Sequence, residues 1–429
     1  MGRSEINVVL LGLGVVGCGV AHALRDKADQ YAERAGLPLV LRRVLVRDPS
    51  KPRPIALDGG LLTADPEEAL AVEADIVIEL MGGETPALDH IEHSLKTGRH
   101  VVTANKEVVS KHWIRLLSLA YEAGVELHYE ASVGGGIPII SPLKRDLAAN
   151  DITGIRAIIN GTTNYILTRM AAEGVDFSDA LRQAQELGYA EADPSNDIEG
   201  HDPVYKLSIL ASLAFRTFIS PDDIYREGIT QLHARDFKYA AELGYIIKLL
   251  AVAKREQGGV RARVHPTLLA KDELLARVDG VLNAVQVEGD LVGKVLFQGP
   301  GAGSEATASA VMADVLDAAR AIRFGEVPSS QDGSSGLTAE PISKLISRYY
   351  VRIEVMDRPG VLAVIARSLG DHGVSIASVI QKETDEEEQT AELVIMTHEA
   401  QEDSMQSSIK QIAGLPEVSE IGSVIRVED

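Results

Sequence analysis

The chain has 429 residues, which is too long for one ordinary hydrophobic core, so we expect two or three domains. Apolar residues make up 45% and charged residues 24% of the sequence, a balance that is typical of globular proteins and excludes a disordered chain. The formal net charge of −21 argues against nucleic acid or an anionic membrane as a partner, because both select clustered lysine and arginine. Cys18 is the only cysteine, which excludes an intrachain disulfide and a cysteine metal cluster.

The first residues predict a cytoplasmic protein. An apolar strand pattern begins at Ile6, with no basic region or cleavage site of the kind that marks a signal peptide. No run of 18 apolar residues is present, so the sequence predicts no membrane span.

Residues 6 to 130 alternate between short apolar runs and helical patterns. Strands are predicted at 6–11, 39–46, 75–80, 100–104 and 125–130, with helices at 15–34, 86–97 and 107–123. Alternation of this kind indicates an α/β fold, in which helices cover both faces of a parallel sheet.

A glycine-rich turn joins the first strand to the first helix, with the sequence Gly12-Leu13-Gly14-Val15-Val16-Gly17. In this context Gly12 permits the tight turn, Gly14 lets the backbone approach a pyrophosphate, and Gly17 allows the helix to pack closely on the sheet. The helix N-terminus then offers N–H groups to the phosphates. We therefore predict a nicotinamide dinucleotide site, with a plain strand-to-helix turn as the alternative.

The end of the second predicted strand bears on the choice of cofactor. NAD-specific sites place an acidic residue here for the ribose 2′-hydroxyl. In this chain Arg47 comes first, with Lys51 and Arg53 close behind, which favours the 2′-phosphate of NADP. Asp48 leaves NAD open as well.

Residues 131 to about 325 mix helices with strands at 152–159, 263–267, 284–289 and 292–297, and the last two read as a hairpin. The stretch 307–322 is a strong helical pattern.

Residues 326–341 are rich in Pro, Ser and Gly and predict a linker. The remainder reads β (349–355), α (360–370), β (374–380), β (390–398), α (401–412), β (417–427), the ferredoxin-like βαββαβ order, with an acidic loop predicted at 383–388.

The most specific segment is 184–206, AQELGYAEADPSNDIEGHDPVYK. It reads as a helix end, a turn crowded with carboxylates, and a new helix. Asp202 is expected to be the N-cap and Pro203 the first helical residue, with Lys206 one turn further. The helix N-terminus disfavours a nearby cation while the carboxylates favour it, so Lys206 is a candidate proton donor and acceptor.

This segment resembles the signature of homoserine dehydrogenases at every position that the signature fixes. The resemblance extends over the whole chain, through the glycine turn and the segments 103–107, 130–138, 160–164 and 299–303. It implies a Rossmann-type parallel-sheet domain (1–135), an α+β catalytic and dimerisation domain (136–325), a linker (326–345) and a ferredoxin-like ACT regulatory domain (346–429).

The resemblance implies roles for individual residues. Lys206 would be the general acid and base, Glu191 would bind the substrate ammonium group, and Asp202 would hold the substrate and orient Lys206. Lys106 would lie between cofactor and substrate. The other implied residues are Gly188 and Gly303, which would line the cofactor, and Asn160, Thr162 and Thr163, which would close the substrate pocket.

The resemblance also implies a monovalent cation site, formed by Glu130 and the backbone carbonyls of Val133, Gly135 and Ile137. Such oxygen ligands suit a hard cation such as sodium. From the residues alone, 134–136 would be a plain turn before a helix.

The turn between the first strand and helix of the βαββαβ unit resembles the effector-binding turn of ACT domains. Asp357, Gly360 and Val361 are the candidate effector residues, because a helix N-terminus with a close-approach glycine can receive a carboxylate. Within this family such a domain implies feedback inhibition, with threonine as the expected effector. The alternative is an assembly module that binds no ligand.

The implied enzyme interconverts L-homoserine and L-aspartate 4-semialdehyde with NAD(P), as a homodimer or homotetramer, in the biosynthesis of threonine, methionine and isoleucine. A non-catalytic dinucleotide sensor is the alternative, although it would not need Glu191, Asp202 and Lys206 together. A phosphate-releasing semialdehyde dehydrogenase needs a thiol nucleophile, and Cys18 is badly placed for that.

Overall fold

The computed structural model describes residues 3–256, 258–325, 336–385 and 389–428. Residues 326–335 of the predicted linker and 386–388 of the predicted acidic loop lie outside the described residues. In the described residues, no helix combines the length and the apolar character that crossing a membrane requires.

The helices are α1 (Val15–Asp26), α2 (Ala28–Ala35), α3 (Pro66–Ala71), α4 (Ala87–Lys96), α5 (Lys106–Lys111), α6 (Trp113–Ala123), α7 (Gly161–Glu173), α8 (Phe177–Glu186), α9 (Ser195–Ile198), α10 (His201–Phe215), α11 (Ala234–Glu242), α12 (Ser304–Phe324), α13 (Val361–Asp371) and α14 (Glu402–Ala413). The strands are β1 (Ile6–Leu11), β2 (Leu39–Leu45), β3 (Leu62–Thr63), β4 (Ile76–Glu79), β5 (His100–Thr103), β6 (Leu127–His128), β7 (Ile152–Ile158), β8 (Tyr225–Arg226), β9 (Tyr245–Glu256), β10 (Gly259–Ala270), β11 (Leu282–Gly289), β12 (Gly293–Pro300), β13 (Thr338–Ala339), β14 (Ile346–Met356), β15 (Ile376–Asp385), β16 (Thr390–Thr397), β17 (Ala400–Gln401) and β18 (Val418–Glu428).

The chain divides into two compact units. The first comprises Met1–Ile155, Tyr205–Pro221 and Asn283–Thr338, and the second comprises Arg156–Val204, Asp222–Leu282 and Ala339–Asp429. The domain bounds inferred from the sequence stay a prediction.

The first unit contains a six-stranded sheet in the order β3-β2-β1-β4-β5-β6, and its strand pairs are parallel. Its central strands are apolar and fully buried, because helices cover both faces of a parallel sheet. The predicted α/β architecture is confirmed. The strand order reverses between β1 and β4, and such a switch point forms a crevice for ligands at the carboxyl ends of the strands.

Helix α12 belongs to the core of the first unit. It confirms the helix predicted at 307–322, and its buried Val311, Val315 and Ala318 join the cluster around β1 and α1. Its many alanines have little side-chain volume, so the two helices can pack closely.

Some elements differ from the sequence prediction. The predicted helix 15–34 is interrupted at Lys27 and the predicted helix 107–123 at His112, and both residues leave helical geometry, with φ near −119° and −114°. At the second break, the His112 Nε2 atom lies 2.8 Å from the Glu84 Oε1 atom, a tertiary contact that periodicity cannot reveal. The elements β3, α3 and β9 were not predicted.

In the second unit, six strands follow one another in the order β9-β10-β18-β14-β16-β15. The last four, with α13 and α14, form the predicted βαββαβ arrangement, which is confirmed. Strand β18 also pairs in parallel with β10, where Thr267 stands opposite Arg426. The C-terminal βαββαβ unit therefore shares one sheet with β9 and β10.

Buried ion pairs reinforce this continuous sheet. Arg352 on β14 bonds Asp236 of α11 at 2.7 Å and Glu392 of β16 at 2.9 Å. Arg263 on β10 donates to Glu428 of β18 at 2.5 Å. Since these five side chains are buried, each charge depends on its partner for stabilisation.

Candidate active site

The glycine turn has the geometry that its sequence predicts. Gly12 has φ +100°, and a Cβ atom there would lie 2.6 Å from the Leu80 carbonyl oxygen. A Cβ atom at Gly17 would lie 2.2 Å from the Gly12 oxygen, whereas Gly14 faces open space at the N-terminus of α1. The turn therefore keeps α1 against the sheet and leaves room for a ligand above Gly14.

The N-terminus of α12 lies beside this turn. Ser304 Oγ donates a 2.8 Å hydrogen bond to the Val15 carbonyl oxygen. The preceding residue, Gly303, caps α12 with φ +122°. Gly303 thus lies next to the glycine turn, and its role in lining the cofactor stays a prediction.

Cys18 is buried and its Sγ lies 3.6 Å from the Leu13 carbonyl oxygen. Burial raises the pKa of this thiol, which favours the protonated form. Its position argues against a nucleophilic role.

The loop after β2 presents Arg47 to solvent. The neighbouring Asp48 carboxylate accepts hydrogen bonds from the Ser50 amide at 2.8 Å and the Ser50 hydroxyl at 2.6 Å. These bonds hold the pKa of Asp48 below its usual range. The acidic side chain is therefore engaged within its own turn, while Arg47 is exposed.

Lys106 is the first residue of α5, at the carboxyl end of β5. A series of hydrogen bonds that the sequence did not predict holds the segment before Lys106 in place. The Glu79 carboxylate at the end of β4 accepts from Thr103 Oγ1 at 2.6 Å, and Thr103 Oγ1 accepts from the Asn105 amide at 3.0 Å. Asn105 caps α5 by accepting from the Val108 amide at 3.2 Å. The Glu79 side chain is fully buried, and this burial raises its pKa.

Lys206 is half-buried on α10, and Asp202 is buried in the first turn of the same helix. The expectation that Asp202 would be the N-cap was wrong, because the helix already begins at His201. The Val204 amide donates to the carbonyl oxygen of Gly200, the residue before the helix, at 3.3 Å, so Pro203 is the third helical residue and not the first as expected.

In the second unit, Asn160 organises several predicted substrate residues. It caps α7 by accepting from the Thr163 amide at 2.8 Å. Its Nδ2 group donates to Asp202 at 2.9 Å and to Asp197 at 2.6 Å. Asn160 thus links the start of α7 to the acidic segment, and Asp197 joins a site in which the sequence suggested no role for it.

The remaining residues of this cluster lie on the turn after α8. Thr162 Oγ1 donates to the Tyr189 carbonyl oxygen at 2.8 Å, and Gln185 Nε2 donates to the Glu191 carbonyl oxygen at 3.1 Å. Gly188 has φ +75°, which lets the chain reverse here. The Glu191 side chain is exposed.

The predicted cation segment forms a tightly held turn in the first unit. The Glu130 carboxylate is buried and accepts from three amides, those of Ile139 at 2.7 Å, Ile140 at 2.8 Å and Ser141 at 2.7 Å. A Cβ atom at Gly135 would lie 2.4 Å from the Gly301 oxygen, so the turn packs directly on the segment before α12.

Val133 and Ile137 are buried in this turn, and Gly134 and Gly135 both have positive φ. Three amides already occupy most of the acceptor capacity of the Glu130 carboxylate. Any cation held here would therefore depend mainly on the backbone carbonyl oxygens.

At the C-terminal domain, Gly360 caps α13 with φ +98°, Val361 is buried and Asp357 is exposed. Gln381 Nε2 donates to the Asp357 carboxylate at 3.3 Å. The predicted effector residues therefore surround an exposed helix N-terminus.

Comparison with known proteins identifies the family. The homoserine dehydrogenase family model matches residues 138–316, the model of the homoserine dehydrogenase NAD-binding domain matches 12–130, and the ACT-domain model matches 349–417. A homoserine dehydrogenase from Neisseria gonorrhoeae is 42% identical over 430 residues, covering 99% of this chain and 98% of the relative.

Solved structures of homoserine dehydrogenases are similar to this chain as well. A homoserine dehydrogenase from Thiobacillus denitrificans matches with a TM-score of 0.92 at 42% identity, covering 100% of this chain and 99% of the other. A hyperthermophilic archaeal homoserine dehydrogenase in complex with NADPH matches with a TM-score of 0.63 at 27% identity, covering 76% of this chain and 99% of the other. The chain therefore belongs to the homoserine dehydrogenase family, as an oxidoreductase with a Rossmann-type NAD-binding domain, a catalytic domain and a C-terminal ACT domain.

Proposed function

We propose that this enzyme interconverts L-homoserine and L-aspartate 4-semialdehyde in the biosynthesis of threonine, methionine and isoleucine. The observation that carries the proposal is the buried Asp202 carboxylate, which Asn160 holds at 2.9 Å one helical turn before Lys206. A dehydrogenase of a hydroxyl group needs a placed proton donor and acceptor, and this helix presents one beside a fixed negative charge.

The bound nicotinamide supplies or accepts the hydride. In the direction of aldehyde reduction, the Lys206 ammonium group donates a proton to the aldehyde oxygen while the new C–H bond forms at the carbonyl carbon. In the reverse direction, the neutral Lys206 amine takes the hydroxyl proton. Asp202 orients Lys206, and Glu191 binds the substrate ammonium group by opposite charge.

Asn160, Thr162 and Thr163 close the substrate pocket at the start of α7, Lys106 lies between cofactor and substrate, and Gly188 and Gly303 line the cofactor. The support for these roles is local: each residue lies at a helix terminus or a glycine turn. Helix N-termini and glycine turns are common places for polar substrates and phosphates.

Substitution of the lysine tests the proposal. We expect Lys206→Ala to lower homoserine-dependent cofactor reduction by about 10²–10⁴-fold while cofactor binding stays unchanged. Lys410→Ala, an exposed lysine on α14, is the matched control and should retain full activity. If the intact chain shows no homoserine-dependent turnover, the alternative of a non-catalytic dinucleotide sensor is favoured.

We propose that NADP is the preferred cofactor, with NAD as a second substrate. The support is the exposed Arg47, together with the engagement of Asp48 by Ser50. Arg47→Ala should raise the KM for NADP⁺ by about tenfold or more, since a charge-assisted bond to the 2′-phosphate is lost, and leave the KM for NAD⁺ unchanged. Arg182→Ala on α8 is the control, and an equal effect on both cofactors would contradict the proposal.

We propose that threonine inhibits the enzyme through the ACT domain, where Asp357, Gly360 and Val361 form the effector turn. The exposed N-terminus of α13 supports this, because its amides can receive a carboxylate. Asp357→Ala should weaken inhibition, while Asp371→Ala at the other end of α13 should not. No inhibition of the intact enzyme would favour an assembly module.

We also propose a sodium ion at the turn of Glu130, Val133, Gly135 and Ile137. The support is the buried Glu130 carboxylate and the two successive glycines with positive φ, 134 and 135, in a turn whose backbone carbonyl oxygens are potential ligands of a hard cation. Thermal stability should then rise with sodium chloride more than with choline chloride at equal ionic strength. We further propose a homodimer or homotetramer, which light scattering after gel filtration would test.

A further inference from the structure

Two histidines and a glutamate meet at the amino-terminal half of the parallel sheet in the first unit. His100 begins β5, and Glu126 and His128 belong to the neighbouring β6 segment. One possible ligand atom from each lies within 4.8 Å of the other two. The glycine turn lies at the carboxyl end of β1, so this cluster is at the opposite end of the strands from the cofactor site.

The strand register fixes this arrangement. Val101 stands opposite Leu127 and Val102 opposite His128, so His100 stands beside Glu126 in the parallel pair. Alternate residues of a strand point to the same face, which places Glu126 and His128 together. The three side chains are thus fixed by the backbone of two hydrogen-bonded strands.

The histidine nitrogens have poor hydrogen-bond partners for buried polar atoms. His128 Nε2 lies 3.1 Å from Glu126 Oε2, yet among the described residues it has no hydrogen bond of acceptable geometry. His100 Nδ1 accepts only a long hydrogen bond of 3.3 Å from the Glu126 amide, so an ion that takes the same lone pair would displace a weak bond. A buried polar nitrogen without a good partner costs stability, and a bound ion would satisfy it.

The charges favour a cation. The carboxylate supplies a negative charge, and each imidazole can bind a metal ion through a ring-nitrogen lone pair. Other charged neighbours include the Asp75–Arg3 pair, whose nearest atoms are 2.9 Å apart, and Lys144, which acts on Glu126 electrostatically. The buried Asp314 acts on His128 in the same way.

A neighbouring cavity provides access. It has a volume of about 760 Å³, and Glu126 and His128 line it together with Tyr129, Lys144 and Ser212. Apart from Glu130, none of the predicted catalytic, substrate or cation residues lines this cavity. An ion held by three protein ligands would therefore have a coordination position that water in the cavity can reach.

We propose that His100, Glu126 and His128 bind a divalent transition-metal ion, with zinc as the best match. Two imidazoles and one carboxylate suit zinc, cobalt or nickel, whereas magnesium and calcium prefer oxygen ligands alone. The ion would join β5 to β6, which is the edge strand of this sheet in the described residues. It is separate from the sodium site and takes no part in hydride transfer.

The full-length protein, freed of metal by a chelator, would be titrated with Zn²⁺ and with Co²⁺. We expect one ion per chain to survive gel filtration, a rise in the thermal midpoint with Zn²⁺, and visible Co²⁺ absorption bands of a site with nitrogen ligands. Glu126→Gln and His128→Ala should each weaken binding by more than about tenfold, while His93→Ala, an exposed histidine on α4, should not.

NADPH binding serves as the folding check for each variant. If a variant fails to fold, the Co²⁺ spectrum of the unmodified protein still shows whether the bound ion has nitrogen ligands. Binding that is equal in His128→Ala and in the unmodified chain would overturn the proposal, as would a Co²⁺ spectrum of purely oxygen-ligated metal. Either result would identify the bound metal as surface adsorption.

Discussion

Gly14 and Gly17 of the glycine turn differ in what a side chain would meet. A Cβ atom at Gly17 would lie 2.2 Å from a main-chain oxygen, while at Gly14 it would meet open space. We expect Gly17→Ala to lower the thermal midpoint and weaken NADPH binding. Gly14→Ala should leave the midpoint unchanged and weaken only NADPH binding, because its methyl group would approach the pyrophosphate.

Differential scanning fluorimetry and NADPH fluorescence titration would measure the two effects separately. Equal losses of stability in both variants would contradict this division of roles.

Asp314 of α12 makes stability depend on pH. Burial raises its pKa from 3.8 to about 7 in the folded chain, although it accepts a 2.8 Å bond from the Glu130 amide. Between these two pH values the unfolded chain has lost the proton that the folded chain retains. Asp314 therefore lowers the free energy of unfolding increasingly from about pH 4 to pH 7, and by a constant amount above pH 7.

The variant Asp314→Asn retains an oxygen acceptor and removes the titration. We expect its stability relative to the unmodified chain to rise with pH up to about 7 and then to level off. Urea unfolding at pH 5, 6, 7 and 8 measures this difference. A difference that is independent of pH would show that Asp314 is ionised when folded.

At the scale of residues, the sequence predicts those functional candidates that stand together in one short motif. Lys206 and Asp202 stand in one specific segment, and the glycines stand in one turn. Glu79 was not predicted, because its role depends on Thr103, which lies 24 residues further along the chain and meets it only in the sheet. Contacts of this kind depend on strand order, which the residues around Glu79 do not reveal.

At the scale of elements, buried ion pairs join α11 to the sheet of the ACT domain. Arg352 is the shared partner of Asp236 and Glu392, and all three are buried. We expect Arg352→Met to lower the free energy of unfolding by about 3–5 kcal/mol, because the buried Asp236 loses its counter-charge and Glu392 keeps only its 3.5 Å pair with Arg235.

Arg182→Met is the matched control. Its pair with Asp179 is exposed, so the change should stay within about 1 kcal/mol. Unfolding of both variants in guanidinium chloride measures the two changes in the free energy of unfolding. Equal losses of stability would contradict the expectation that the buried ion pair contributes more than the exposed one.

Strand β9 shows why some elements cannot be predicted from the sequence pattern. Its residues 247–253 are all buried, so the apolar run lacks the alternation by which a half-buried strand is recognised. The six elements of the ACT unit, in contrast, were all predicted, because turn residues separate short strands from helices there.

At the scale of the molecule, the ACT domain is not a detachable appendage. Strand β18 pairs with β10, and Glu428 supplies the counter-charge of the buried Arg263. We expect a chain ending at residue 339 to melt at a lower temperature than the full chain or to aggregate, because the edge of β10 and the Arg263 charge lose their cover.

Gel filtration and scanning fluorimetry would test this, with Asp357→Ala as a control that leaves β18 in place. A monodisperse truncated chain with an unchanged midpoint would contradict it. For the same reason, the proposed feedback inhibition is better tested by substitution than by truncation.

The parallel pairing of β10 with β18 also bears on how the protein is made. Residues 271–417 separate the two strands, so the ribosome releases β10 long before β18 exists. During that interval residues 267–269 of β10, which later pair with β18, form an open edge beyond the short pairing with β8 at 263–264, and this edge can pair with another nascent chain. Translation speed over this segment, and the chaperones that bind open strands, would therefore govern the yield of native enzyme.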